Sequence, residues 1–222
     1  MDLKTRDPNA AAAFFEGALG WTVEIDQDSW RQATVIRVGE HRIGGLSDVT
    51  AALYPPGTPA HIACYLAVDE VDARVAAAVE VGARLLVAPF DAGDDGRIAT
   101  LIDPFGAAVS LWRRAPQRGW THPRATRAAP RRLQHLSADP PAAAEFYQRL
   151  LGMTDPDTDF TGLAAANAVP GWRLIVAVDS VTEVQRRAGK PLGGTGRVDP
   201  VNDQGVVADL TAPDGLTFSI ES

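Results

Sequence analysis

The chain has 222 residues, 45% of them hydrophobic, which is enough for two compact cores of about 100 residues each. Its formal net charge of −7 argues against nucleic acid as a partner. No apolar run approaches the roughly 20 residues a membrane span needs, and Asp2, Lys4, Arg6 and Asp7 interrupt the start where a signal peptide would be apolar.

In chain order, the patterning predicts a strand at 2–6 and a helix from Pro8, then strands near 21–26, 31–38 and 41–46. Asp7 is a ready N-cap, Pro8 suits the first helical position, and Gly20 stops the helix. Ala11, Phe14, Phe15 and Ala18 share one helical face. The Tyr-Pro-Pro-Gly stretch within 51–59 reads as a loop. A strand at 61–68, a helix at 70–81 stopped by Gly82, and strands near 84–89, 97–102 and 107–112 follow. Residues 113–130 carry Pro116, Pro123 and Pro130 among five arginines and read as a solvated connector; the competing reading is a basic patch for an acidic ligand. Beyond it come a strand at 132–138, a helix from Pro140, strands near 162–168 and 172–178, a short helix at 181–188, and strands near 205–211 and 216–221.

One stretch is written twice. Asp7-Pro8 with Ala10 to Ala12, Phe14 and Leu19-Gly20 recurs as Asp139-Pro140 with Ala142 to Ala144, Phe146 and Leu151-Gly152. Asp103-Pro104-Phe105-Gly106 likewise recurs as Ala212-Pro213-Asp214-Gly215. Two elements repeated in the same order indicate a duplication. The expected organisation is an α+β fold of tandem βαβββ units forming two curved mixed-sheet clefts. Domain one covers 1–114, an Arg/Pro-rich linker 115–130, and a shortened domain two 131–222. Whether repeats pair within or across these halves is left open.

Asp7-Pro8-x-x-Ala11-Ala12-x-Phe14-Phe15, Leu19-Gly20-Trp21, the Tyr65-x-x-Val68-Asp69-x-Val71-Asp72 start and Asp103-Pro104-Phe105-Gly106-Ala107-x-x-Ser110-Leu111-Trp112 form an ordered set. That set resembles the vicinal oxygen chelate superfamily, which holds glyoxalase I, bleomycin-resistance proteins and extradiol dioxygenases. Within it the chain is similar to a two-domain, glyoxalase-like actinobacterial branch. The resemblance implies a cleft in the concave face of a sheet built from two βαβββ units. In metal-dependent members, ligands come from the first and last strands of a unit.

Carried over by position, the last-strand ligands fall on Ser110 and Ser219, both neutral hydroxyls. The first-strand positions fall before Met1, on Arg132, which has only donors, on His61 and on Gly171. One ligand survives where several are needed, so no metal and no other cofactor is expected. His135 alternates away from the ligand face and reads as structural. Glu221 and Asp2 are carboxylates at other offsets. The single cysteine, Cys64, excludes an internal disulfide, suits the cytoplasm, and reads as a small core residue.

Alternation from His61 puts Tyr65 on its face, and alternation from Ser110 puts Trp112 on its face. With Trp21 and Trp30 bordering neighbouring strands, His61, Tyr65, Ser110 and Trp112 predict an aromatic pocket in domain one for an apolar or aromatic small molecule. Plain core packing is the competing reading of each tryptophan. The leading expectation is a metal-independent binding protein, monomeric or homodimeric, for a metabolite or antibiotic, with no catalytic residue identified. The alternative is a lyase, isomerase or dioxygenase-type enzyme using a divalent metal, with His61 as its base. A non-catalytic partner of a larger complex is a third class that no residue selects.

Overall fold

A computed structural model of the chain describes residues 1–27, 33–52, 54–113, 120–152, 157–164, 168–189, 193–198 and 207–222. The first repeat holds β1 (Asp2–Thr5), α1 (Pro8–Leu19), β2 (Thr22–Ile25), β3 (Thr34–Val38) and β4 (His41–Asp48). The second holds β5 (His61–Ala63), β6 (Tyr65–Ala67), α2 (Val71–Glu80), β7 (Arg84–Asp91), β8 (Arg97–Ile102) and β9 (Ala108–Arg113). The third holds β10 (Pro130–Ser137), α3 (Pro140–Leu151) and β11 (Thr158–Gly162). The fourth holds β12 (Gly171–Ala177), α4 (Val181–Ala188), β13 (Thr195–Val198), β14 (Val207–Thr211) and β15 (Thr217–Glu221). The fold is mixed α+β, as the pattern implied, and no helix among the described residues is long and apolar enough to cross a membrane.

The helix ends form for the reasons the sequence suggests. Asp7 accepts from the Ala10 N–H at 3.0 Å and Asp139 from the Ala142 N–H at 3.1 Å, satisfying first-turn donors. Gly20 and Gly152 take φ values of 72° and 71°, the left-handed region that glycine enters without steric cost. α1 buries Ala11, Phe14, Phe15, Ala18 and Leu19, and α3 buries Ala143, Phe146, Tyr147 and Leu150.

Three strands depart from expectation. The one expected at 61–68 is broken at Cys64 into β5 and β6, which pair in different sheets. β11 was expected at 162–168 on an apolar run, but it occupies Thr158–Gly162. It pairs in parallel with β10 from Leu133↔Thr158 to Ser137↔Gly162, and it stops where β10 stops. β13 was not expected, because its glycine-rich approach reads as loop; it is an edge strand held by pairing with β14 from Thr195↔Thr211 to Val198↔Ala208.

Strand orders are β2-β3-β4-β1-β5, β6-β9-β8-β7 and β11-β10-β12-β15-β14-β13. By spatial clustering the chain forms two compact units. The first comprises Met1–Ile62, His122–Arg131 and Leu174–Ser222; the second comprises Ala63–Thr121 and Arg132–Arg173. The first repeat therefore clusters with most of the fourth, and most of the second with the third, which answers the pairing question the sequence left open. In the first unit α1 packs on α4 around Leu3, Phe14, Phe15, Trp21 and Phe218. In the second, α2 packs on α3, with Leu101, Leu111, Phe146 and Tyr147 buried.

Candidate functional site

The second unit presents one strand face to its helix and leaves the other partly exposed, from the exposed Ala67, Val87 and Phe90 to the nearly buried Ser110. Leu66, Ala99, Leu101, Val109 and Leu111 are buried, as are Val71, Val75 and Ala78 of α2. The residues between them face the other way, because side chains alternate along a strand. Cross-strand register arranges that partly exposed face in rows. Tyr65 lies beside Ser110, Ser110 opposite Thr100, and Thr100 opposite Val87. Two residues further along, Ala67 lies beside Trp112, Trp112 opposite Ile98, and Ile98 opposite Phe90.

Polar contacts fix two of these side chains. Trp112 Nε1 donates to the Asp95 carbonyl at 2.6 Å, anchoring a half-buried indole. Asp95 ends a 3-10 turn at Gly93–Asp95 that precedes β8. The Thr100 and Ser110 hydroxyls share a hydrogen bond at 2.9 Å, with Ser110 nearly buried. The structure thus brings Tyr65, Ser110 and Trp112 onto adjacent strands, with Ser110 and Trp112 on one face of β9, but the expected alternation from His61 to Tyr65 is broken at Cys64, because β5 and β6 belong to different sheets. Phe90, Ile98 and Thr100 extend that face and were not singled out; Phe90 lies one residue past the strand end expected at 89.

His61 belongs to the first unit, where it is half-buried with Nδ1 2.9 Å from the Pro59 carbonyl. Trp21, expected to border the pocket, is instead core, with 0% exposure. It follows the left-handed cap at Gly20, and its ring stacks on Phe15 with centroids 4.9 Å apart, the apolar contact that accompanies such caps. Its Nε1 donates to the Ala128 carbonyl at 2.6 Å. Trp30 lies outside the described residues. A further polar group of the first unit went unrecognised. Lys4 Nζ donates to Asp2 at 2.5 Å and to the Tyr54 hydroxyl at 2.9 Å, and Ser47 Oγ donates to Asp2 at 2.7 Å.

The residues at the family's metal-ligand positions do not suit a divalent cation. Ser110 is engaged by Thr100, and Ser219 donates to Asp209 at 2.6 Å. Arg132 is ion-paired with Asp159, and Gly171 has no side chain. Neutral hydroxyls already committed to neighbours, a cation and a glycine leave His61 without co-ligands at those positions.

A buried polar cluster lies elsewhere in the second unit. Asp103 Oδ2 accepts from His135 Nε2 at 2.7 Å and from the Tyr147 hydroxyl at 2.8 Å, while Oδ1 accepts from the Phe105 and Ala107 N–H groups. Trp172 Nε1 donates to the Tyr147 oxygen at 3.3 Å. Burial alone would raise the Asp103 pKa, but the bonds from His135, Ala107 and Tyr147 outweigh it and hold the carboxyl below the usual range. Burial first, then the Asp103 charge, push the Tyr147 phenol well above its ordinary value. His135 faces α3 and is fully buried, consistent with a structural role. Cys64 is buried, and burial pushes its thiol up to about 12, which suits a core residue rather than a nucleophile.

The glyoxalase-like domain family model matches residues 1–112. CFP32 of Mycobacterium tuberculosis (strain CDC 1551 / Oshkosh), provisionally named a glyoxylase, is 29% identical over 245 residues, spanning 99% of this chain and 92% of that protein. The anthracycline biosynthesis protein DnrV of Streptomyces peucetius is 28% identical over 254 residues, spanning 99% of this chain and 90% of that protein. Among solved structures, the Mn(II)-bound glyoxalase from Novosphingobium aromaticivorans superposes with a TM-score of 0.63 at 14% identity, covering 99% of this chain and 79% of that one. The 2,2',3-trihydroxybiphenyl 1,2-dioxygenase of Sphingomonas wittichii strain RW1 gives a TM-score of 0.60 at 16% identity, covering 99% of this chain and 88% of that one. These structural likenesses establish the fold.

Proposed function

Given that the chain belongs to the glyoxalase-like domain family, we propose that it is a small-molecule binding protein of the glyoxalase/bleomycin-resistance type. Its ligand is an apolar or aromatic metabolite or antibiotic, bound without a metal on the partly exposed strand face that carries Tyr65, Ser110 and Trp112. The observation that carries this reading is the anchored, half-buried indole of Trp112 on the same strand face as Ser110, with Tyr65 beside Ser110 on the adjacent strand. An aromatic platform with a few polar tips suits a flat ligand, because rigid rings supply contact area at little entropic cost. Two relatives named for anthracycline biosynthesis, DnrV and DauV, support an aromatic ligand. The committed side chains at Ser110, Ser219 and Arg132 support metal independence. The reading places the protein in the cytoplasm, with Cys64 reduced.

Calorimetry and tryptophan fluorescence against a panel of aromatic natural products, run with elemental analysis of the purified protein, test this reading. Trp112→Ala should cost about 2–3 kcal/mol of binding, as for a well-packed hot spot. That is a loss of roughly 30- to 150-fold in affinity. Full-affinity binding by a folded Trp112→Ala variant would reject the site. About one tightly held metal ion per chain, released in His61→Ala, would reject metal independence and favour the lyase or dioxygenase chemistry of related folds.

A further inference from the structure

The partly exposed face of the second unit has two adjoining rows of opposite chemistry. The first is apolar: Phe90, Ile98, Trp112 and Ala67, one from each of β7, β8, β9 and β6. The second carries hydroxyls on three adjacent strands, from Thr100, Ser110 and Tyr65. Neighbouring strands lie about 4.8 Å apart, so the apolar row spans roughly 14 Å across the sheet. Residues two apart on one strand are separated by about 7 Å, so the hydroxyl row runs alongside at the distance of a ring's edge.

Each end of the apolar row has a distinct character. Phe90 is 46% exposed on the edge strand, far more than a plain core phenylalanine would be. Trp112 is oriented in advance by its bond to the Asp95 carbonyl. Ala67, small and exposed, forms the row's other end. A single-ring compound placed on Trp112 would leave Phe90 in water. A molecule long enough to reach Phe90 covers both rings and Ile98 between them. The hydroxyl pair adds an orientation. One of Thr100 and Ser110 donates to the other at 2.9 Å, and the pair keeps a second O–H proton to offer a ligand oxygen.

Resting on the small-molecule reading above, we infer that the ligand is an elongated, planar fused-ring compound with oxygen substituents along one long edge. Its ring faces lie on Phe90, Ile98 and Trp112, and its oxygens meet Thr100, Ser110 and Tyr65. Phe90 is then a residue that selects ligand length, and Thr100 one that selects oxygen placement.

The test is a calorimetric series with phenol, 1,8-dihydroxynaphthalene, 1,8-dihydroxyanthraquinone and its 2,6-dihydroxy isomer, on wild type and on folded Phe90→Ala and Thr100→Val. In wild type, affinity should climb with ring number, and the 1,8 isomer, with both hydroxyls and one carbonyl on one edge, should bind several-fold tighter than the 2,6 isomer. Phe90→Ala should weaken the three-ring compound roughly tenfold and leave 1,8-dihydroxynaphthalene near its wild-type affinity. Thr100→Val should erase the isomer preference while preserving the dependence on ring number. If phenol and the three-ring compounds bind equally, or Phe90→Ala changes nothing, this inference fails and the small-molecule reading stands. If Phe90→Ala alters only the sedimentation of the free protein, the exposed ring is a self-association contact and the inference again fails. If no compound binds folded wild type, both fall.

Discussion

At Asp103 one carboxylate gathers four donors, and three of the side chains involved are wholly or almost wholly buried. The repeat supplies a built-in comparison. Where the second unit has His135, Tyr147 and Asp103, the corresponding positions of the first unit are Leu3, Phe15 and Ala212, all buried and apolar. The same junction can thus be made either way. Asp103→Ala should cost about 3 kcal/mol or more, because it strands His135 and Tyr147 in a dry interior. Changing all three to the first-unit pattern, His135→Leu, Tyr147→Phe and Asp103→Ala, should recover much of that loss in urea titrations; strict additivity of the single changes would refute the comparison. The pH dependence has a fixed sign. The folded pKa of Asp103 lies below its unfolded value near 3.9, so its stabilisation is intact above that value. It is lost as pH falls through the folded pKa, and Asp103→Ala should flatten that acid limb. Legibility in the sequence was uneven at this scale. Ser110 and Trp112 were legible as sharing a face because they lie two apart on one strand, whereas the alternation read from His61 to Tyr65 fails because the chain leaves one sheet for another at Cys64. Trp21 misled because nothing in strand periodicity registers that a residue after a left-handed cap folds back on its own helix.

The α1 and α3 elements were readable because their signals are local: an aspartate cap, a proline, an apolar stripe and a glycine stop. The strands at β11 and β13 were not, because their extents are set by partners distant in sequence. β11 ends with β10, and β13 exists through β14. The same reason hid Phe90, since β7 is carried to Asp91 by pairing with Arg97. The local signals make local predictions. Asp7→Ala and Asp139→Ala should each cost about 1 kcal/mol, the worth of an N-cap bond. Gly20→Ala should cost about 1–2 kcal/mol from its positive φ alone, since an added Cβ at Gly20 meets nothing within 4 Å. Gly152→Ala should cost more, because its Cβ would come within 3.2 Å of the Arg74 guanidinium. Thermal unfolding of the four variants would show this order, and equal costs at the two glycines would disprove the Arg74 contribution.

For the whole molecule, motif order in the sequence was enough to show a duplication, yet the motifs carry no information on which copies share a core. That depends on side chains meeting across separations of 32 to 209 residues of chain. Phe14 and Phe15 of the first repeat reach Phe218 of the fourth, with ring centroids 6.4 and 5.3 Å apart, and Thr5 donates to Asp214. In the second unit, Asp103 of the second repeat meets His135 and Tyr147 of the third. Each compact unit therefore draws on both sides of the arginine-rich stretch at 113–118. Trypsin is expected to cut there first, since Arg113, Arg114 and Arg118 supply sites among prolines. The nicked chain should nevertheless behave as one body. Its two fragments share two apolar cores, and burial of several aromatic side chains, each worth about 1.5–3 kcal/mol, opposes their separation. Gel filtration of nicked protein should give a single peak at the intact mass, with both fragments present on a denaturing gel. Two separately eluting, folded fragments would mean that the halves 1–114 and 131–222 are independent domains and that the cross-repeat cores contribute little.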